Sequence, residues 1–125
     1  MRATKKELPV TMETKDLKIQ EAEWGEMHVS FEAYTKRLDV TPLFKGLPNN
    51  MDQSPHWGYI FKGGYQVNYK DGRTERFKAG DVYYVEPGHG TIVEAGTELV
   101  EFSPKEALRK TMEVVGRNLE SAQKK

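Results

Sequence analysis

Polar and apolar residues alternate strictly from residue 26 to residue 34, which is the pattern of a β-strand with one buried face. The apolar set begins at Met27 and ends at Ala33, and we expect these side chains to face the core. The polar set includes His28, which is therefore expected to lie in solvent or at a subunit contact.

Short strands are predicted along most of the remaining chain. Each is rich in Val, Ile, Tyr, Phe or Thr, and turns containing Gly or Pro separate them. Asp71 and Gly72 predict a two-residue hairpin of type I′. Many short strands of this kind favour an all-β barrel or sandwich. The six strands are predicted at residues 56–62, 65–70, 73–78, 82–85, 91–94 and 98–103.

Three other segments differ from this pattern. Residues 1–16 are polar and aperiodic and predict a loosely ordered arm. Residues 41–55 are rich in Pro and Asn and predict a loop, with one short strand at residues 43–44. Residues 104–125 have the period of an amphipathic helix, and residues 103–106 form a capping box before it. The apolar face of this helix consists of Leu108, Met112, Val115 and Leu119. The barrel is expected to span residues 17–103.

The composition excludes several classes of chemistry. The chain has 125 residues, 19 basic and 19 acidic side chains, three His and no Cys. Without cysteine there are no disulfides, thiol nucleophiles or cysteine-bound metals. Balanced charge argues against nucleic acid and anionic membranes as partners. Neither a spanning segment nor a signal peptide is evident, so we expect a cytoplasmic protein with no membrane partner.

The charge is unevenly distributed along the chain. Residues 17–103 carry a net charge of −4, whereas residues 104–125 carry six basic and three acidic side chains. A basic helix could therefore complement the acidic barrel of a second copy. We expect a homodimer.

The segment HWGYIFKGGYQVNYKDGRTERFKAGDVYYVEPGHGTIVEAG begins at His56 and resembles the cupin superfamily. It is most similar to small single-domain cupins with PHxGY…G, a DG hairpin and GDxxYxxPGH. His56 precedes Gly63, and Gly80 precedes Gly88, by the intervals found in the two cupin motifs. The resemblance covers roughly residues 25–103. It implies a small jelly-roll-like β-barrel with the C-terminal helix outside.

The resemblance also locates the positions that hold metal ligands in cupins. In this chain they carry Asn50, Asp52, His56 and Thr91, so the usual ligand types are not retained in kind. His89 lies two residues before Thr91 and would share its face of a strand. Asp52, His56 and His89 are thus a candidate set for Fe, Mn, Ni or Zn. Alternatively, both histidines are hydrogen-bonded pocket residues that hold no metal.

The strand at residues 56–62 provides candidate ligand contacts. His56, Gly58 and Ile60 share one face, which the resemblance implies is the barrel interior. Gly58 would leave room for a ligand beside Ile60. The expected ligand-binding residues are His56, Gly58, Ile60, Val85, His89 and Thr91. An aromatic layer between the sheets is expected from Trp57, Tyr59, Phe61, Tyr65, Tyr69, Tyr83 and Tyr84.

These observations leave more than one function open. The first is a non-catalytic binding or sensor protein that holds a small molecule inside the barrel. The second is a metal-dependent enzyme of the oxygenase or isomerase type, with Asp52, His56 and His89 as ligands and Tyr84 or Glu86 at the mouth. A storage or scaffold barrel with a filled interior is a third. Catalysis and the identity of the ligand stay open because cupin barrels host many chemistries.

Overall fold

The computed structural model describes residues 1–123 and contains two antiparallel sheets and one α-helix in that range. This confirms the predicted all-β class with a C-terminal helix. The strands are β1 (Val10–Glu13), β2 (Leu17–Trp24), β3 (Met27–Tyr34), β4 (Leu38–Asp39), β5 (His56–Lys62), β6 (Gly64–Tyr69), β7 (Thr74–Lys78), β8 (Val82–Val85), β9 (His89–Val93) and β10 (Thr97–Pro104). The helix α1 spans Lys105–Gln123, and 3-10 turns occur at Lys5–Glu7, Thr41–Phe44 and Pro48–Asn50.

The two sheets face each other across one core. The larger sheet has the order β1-β2-β3-β10-β5-β8, and the smaller has the order β4-β9-β6-β7. Ile60, Val67 and Val85 are fully buried between them. Within residues 1–123, no helix has the length and apolar character needed to cross a membrane.

The predicted strands agree closely with the observed ones from residue 56 onward, and β5 and β8 have the predicted bounds. Strand β2 was missed because its sequence, LKIQEAEW, mixes charged residues into both faces. The predicted strand at residues 43–44 is wrong. Those residues belong to the 3-10 turn Thr41–Phe44, where Pro42 suits the start of a helical turn.

The hairpin between β6 and β7 is present, but its turn is not type I′. Gly72 has a φ of 94°, whereas Asp71 keeps a negative φ. The Gly72 N–H donates to the Tyr69 carbonyl, and the Tyr69 N–H donates to the Arg73 carbonyl. The connection is therefore longer than two residues, with Gly72 at the left-handed position that closes it.

Strand β3 is oriented opposite to the prediction. His28, Ser30, Glu32 and Tyr34 line an internal cavity, although this polar set was expected to face outward. The apolar set lies on the outer face of the larger sheet, where the Phe31 ring stacks on Phe61. Alternation alone shows that the faces differ but not which of them is internal.

The N-terminal arm covers part of this outer face. Residues Val10–Glu13 pair with β2 as an edge strand, and Leu8 is buried. The Gln20 side chain, which lies on the same face, donates hydrogen bonds to the Lys5 and Leu8 carbonyls. The arm is therefore held at several points along the sheet.

The expected aromatic layer is only partly present. Tyr65, Tyr69 and Tyr83 are buried between the sheets, with Tyr65 and Tyr83 in edge-to-face contact. The other members are between 37% and 49% exposed on the outer face of the larger sheet: Trp57, Tyr59, Phe61 and Tyr84.

The homodimer stays a prediction.

The C-terminal helix closes one end of the barrel. It begins at Lys105, directly after Pro104 at the end of β10. The predicted cap is wrong, because the Ser103 hydroxyl contacts His56 instead of a helix N–H. The Asn118 side chain donates hydrogen bonds to the Leu43 and Lys45 carbonyls, which attaches the helix to the loop before β5.

Two glycines give a test of this packing. A Cβ on Gly58 would overlap both the Tyr83 hydroxyl and the Val100 carbonyl oxygen. Gly58→Ala should therefore lower the free energy of unfolding by about 1–3 kcal/mol. Gly116 lies in the helix with nothing within 4 Å of such an atom, so Gly116→Ala should raise stability by up to about 1 kcal/mol. Urea denaturation measures both, and equal effects of the two substitutions would contradict the packing described.

Candidate functional site

A cavity of about 510 Å³ lies between the larger sheet, the loop before β5 and the C-terminal helix. Most of its polar side chains come from the strands, which also contribute apolar ones such as Ile19 and Leu99, and the helix and loop add mostly apolar side chains. The polar wall includes Glu21, His28, Ser30, Glu32, Tyr34, Asp52, His56, Tyr65, Glu101 and Ser103. The apolar wall includes Leu38, Val40, Leu43, Phe44, Leu108, Met112, Val115 and Leu119.

Asp52, His56 and His89 form a cluster at one end of this site. Each of the three residues is at least 94% buried. Local backbone contacts bring them together. Asp52 N–H donates to the His89 carbonyl, and His89 N–H donates to the Asp52 carbonyl. His56 and His89 are the first residues of β5 and β9, so both imidazoles project from strand ends.

The Asp52 carboxylate receives contacts on both of its oxygens. Oδ1 accepts hydrogen bonds from the Ser54 N–H at 2.9 Å and from the Thr111 hydroxyl at 2.8 Å. Oδ2 lies 2.9 Å from Nε2 of His56 and 3.5 Å from Nε2 of His89. The carboxylate thus joins the loop, both strand ends and the helix.

The second nitrogen of each histidine is held by a separate partner. Nδ1 of His56 lies 2.6 Å from the Ser103 hydroxyl. Nδ1 of His89 lies 2.7 Å from the Glu86 carbonyl, which can only accept a hydrogen bond. His89 therefore carries a proton on Nδ1, and when neutral it directs the lone pair of Nε2 toward Asp52.

This arrangement fits a divalent metal ion. A metal about 2.0–2.2 Å from each ligand atom leaves neighbouring ligand atoms about 3–3.5 Å apart. The separations of 2.9 and 3.5 Å at Oδ2 of Asp52 are close to that range, and the three candidate ligand atoms all lie within 4.8 Å of one another. Two imidazoles and a carboxylate suit Fe(II), Mn(II) or Zn(II). Metal-bound histidines ordinarily donate from their other nitrogen, as His89 does to the Glu86 carbonyl.

Besides Asp52 and Glu21, two carboxylates of the cavity wall are held by hydroxyl groups. Glu32 accepts hydrogen bonds from the hydroxyls of Ser30 and Tyr34, both at 2.6 Å. Oε1 of Glu101 accepts hydrogen bonds from Tyr83 at 2.8 Å and Tyr65 at 3.3 Å. Oε2 of Glu101 lies 3.7 Å from Nδ1 of His56, so the two groups of polar residues meet at this histidine.

Burial and mutual repulsion control the charges of these groups. Burial, and then repulsion from Glu101, raise the pKa of Glu32 to about 7. Burial alone would lower the pKa of His56, but Glu101, Asp52 and Glu32 together raise it to about 9. Burial would raise the pKa of Asp52, but His56 and His89 hold it well below its ordinary value. Ionised Asp52 is thus paired, whereas ionised Glu32 is not.

The predicted site residues do not all reach the cavity. Asp52, His56 and Thr91 line it, while His89 lies behind Asp52. The remaining predicted contacts, Gly58, Ile60 and Val85, are buried in the core and are not part of the cavity wall. The space expected at Gly58 is filled by the Tyr83 hydroxyl.

Three other residues lie in positions different from those predicted. Tyr84 is exposed and packs on Trp57, on the outer face. The Glu86 side chain pairs with Arg73 in solvent, and only its carbonyl contacts the site. His28, expected outside, lines the cavity and contacts Glu21.

Sequence reasoning missed Glu32, Glu101, Tyr65 and Ser103 as cavity residues. The alternation of β3 and β10 carried the signal, since residues two apart share a face. Pairing Glu101 with Ser30 and Leu99 with Glu32 then places these residues on the cavity side. The sequence predicts this face correctly only if the polar residues of β3, and not the apolar ones, are assigned to the interior.

The raised pKa of Glu32 predicts a change of stability with pH. The folded state holds the Glu32 proton more tightly than the unfolded state, so its contribution to stability is complete below about pH 4.5 and declines as pH rises toward 7. Glu32→Gln should remove this decline and raise the free energy of unfolding at pH 8.5 by about 1–3 kcal/mol, with little gain at pH 4.5.

Urea denaturation at the two pH values measures the effect. Glu94→Gln is the control, because Glu94 lies at the surface near Arg37. A Glu32→Gln protein with the same pH dependence as the unmodified protein would contradict the electrostatic description.

Solved structures of similar architecture come from several cupins, and no family model or curated protein matches the sequence. An RmlC-like cupin from Shewanella frigidimarina superposes with a TM-score of 0.56 and 20% identity, covering 82% of this chain and 88% of that one. The polyketide cyclase RemF from Streptomyces resistomycificus gives 0.57 and 11%, covering 83% and 78%. Oxalate decarboxylase from Lactobacillus farciminis gives 0.58 and 12%, covering 82% of this chain and 32% of that one. These superpositions show that the chain has the fold of the RmlC-like cupin.

Proposed function

We propose that this protein binds a divalent transition metal on Asp52, His56 and His89 and takes a small molecule in the adjoining cavity. The observation that carries the proposal is the direction of the two imidazoles. Both Nε2 atoms converge on one oxygen of Asp52, while both Nδ1 atoms are engaged by other partners. A bound metal would act as a Lewis acid and offer open positions to a ligand.

The chain's own residues would control such an ion in three ways. Ser103 and the Glu86 carbonyl orient the imidazole rings through Nδ1. Ser54 and Thr111 fix the Asp52 carboxylate through its other oxygen. The helix and loop line the same space with apolar side chains.

The second candidate is a binding protein that uses the same cavity without a metal. It is favoured by a specific observation: among the described residues, no buried side-chain nitrogen or oxygen lacks a hydrogen-bond partner. In that state a protonated His56 donates to Asp52 and to Ser103, and the cluster supports the cavity wall. Both candidates retain a small molecule in the barrel.

Metal titration separates the two candidates. After chelator treatment and dialysis, we expect the protein to bind about one equivalent of Zn(II), Mn(II) or Fe(II) in isothermal titration calorimetry. Asp52→Asn, His56→Gln and His89→Gln should each weaken binding by about 100-fold or more, because each removes one of three ligands.

His28→Gln is the matched control, since it removes the remaining histidine of the chain without touching the cluster. Circular dichroism verifies that each variant is folded. If the unmodified protein takes up none of these ions, the metal proposal is wrong and the metal-free binding protein is supported.

A further inference from the structure

Several polar side chains project into a cavity whose surface is otherwise mainly apolar. Strand β3 alone directs His28, Ser30, Glu32 and Tyr34 into the cavity, and β10 adds Glu101. Burial of polar groups in a protein interior has a free-energy cost unless partners compensate for it. An interior of this kind is typical of a ligand site and not of a barrel filled for stability.

The cavity also has a net acidic character. Glu21, Glu32, Asp52 and Glu101 line it, and among residues 1–123 no Lys or Arg does so. The two histidines in the wall already face other carboxylates: His28 contacts Glu21, and His56 contacts Asp52. Within the part of the chain that the structure describes, Glu32 has no cationic partner, and Glu101 has only the 3.7 Å contact to His56.

Glu32 and Glu101 are placed to contact one group together. In the β3–β10 register, Glu32 lies opposite Leu99 and Glu101 lies opposite Ser30. They are therefore diagonal neighbours on one sheet face, about 7–8 Å apart at their backbones. Each is anchored by hydroxyl donors, Glu32 by Ser30 and Tyr34, and Glu101 by the two buried tyrosines.

The opposite wall is apolar. Leu108, Met112 and Val115 of the helix face the cavity together with Leu43 and Phe44 of the loop. A ligand that spans the cavity would thus place an apolar body against the helix and a polar end against the sheet. The volume of about 510 Å³ lies in the range of small-molecule sites.

We propose that the cavity takes an organic cation, whose ammonium group lies between Glu32 and Glu101 and whose apolar body packs on the helix and loop. This rests on the proposed small-molecule role of the cavity but not on the metal. Anionic ligands are disfavoured because two carboxylates face the position of their charged group.

Three probes of equal chain length test the proposal: 1-hexylamine, 1-hexanol and hexanoate. We expect calorimetry at pH 8 to show hexylamine binding about tenfold or more tightly than hexanol, with hexanoate weakest, since hydrogen bonds between charged groups are stronger than those of a neutral hydroxyl. Glu32→Gln combined with Glu101→Gln should reduce the amine affinity to that of the alcohol.

Glu94→Gln, a surface carboxylate with a neighbouring Arg37, is the control and should leave the three affinities unchanged. The titrations are performed on metal-free and on Zn(II)-loaded protein, so that loss of metal binding is recorded separately. Equal binding of all three probes, or an amine preference that survives the double substitution, overturns the inference but not the cavity's role. If none of the probes binds, both the inference and the small-molecule role fail.

Discussion

One buried carboxylate, that of Asp52, is the constraint on which the site depends. It comes from a loop, yet it contacts the first residues of two strands in different sheets and a threonine of the C-terminal helix. A buried carboxylate is stable only when it is paired or hydrogen-bonded. The sheets, the loop and the helix therefore cannot separate without leaving this charge unsatisfied.

His56 connects this constraint to the remainder of the cavity. One nitrogen faces Asp52, and the other lies near both Ser103 and Glu101. The charge at one end of the cavity consequently influences the other end, as the pKa of His56 shows through its response to Glu101. Metal-bound and metal-free states would differ mainly in the proton count of this histidine, because the surrounding partners can serve both.

Part of this site can be predicted from local sequence patterns, and part cannot. The predicted strand at His56 and the position of His89 beside a cupin ligand position indicated one common site with Asp52. In the structure, these three residues form a cluster. The orientation of β3 was wrong because an alternating strand has two faces and its partners determine which is internal. Glu32 and Glu101 were missed for that reason. Gly58 was misjudged because the tyrosine that fills its space lies on another strand, 25 positions away in the sequence.

The inward polar face of β3 has a consequence for protein engineering. Replacing polar residues in an interior with apolar ones of similar size commonly stabilises a domain. In this barrel the same substitutions would fill or neutralise the cavity, so selection for thermal stability alone would favour its loss. The polar face of β3 would therefore be among the first features that such selection removes.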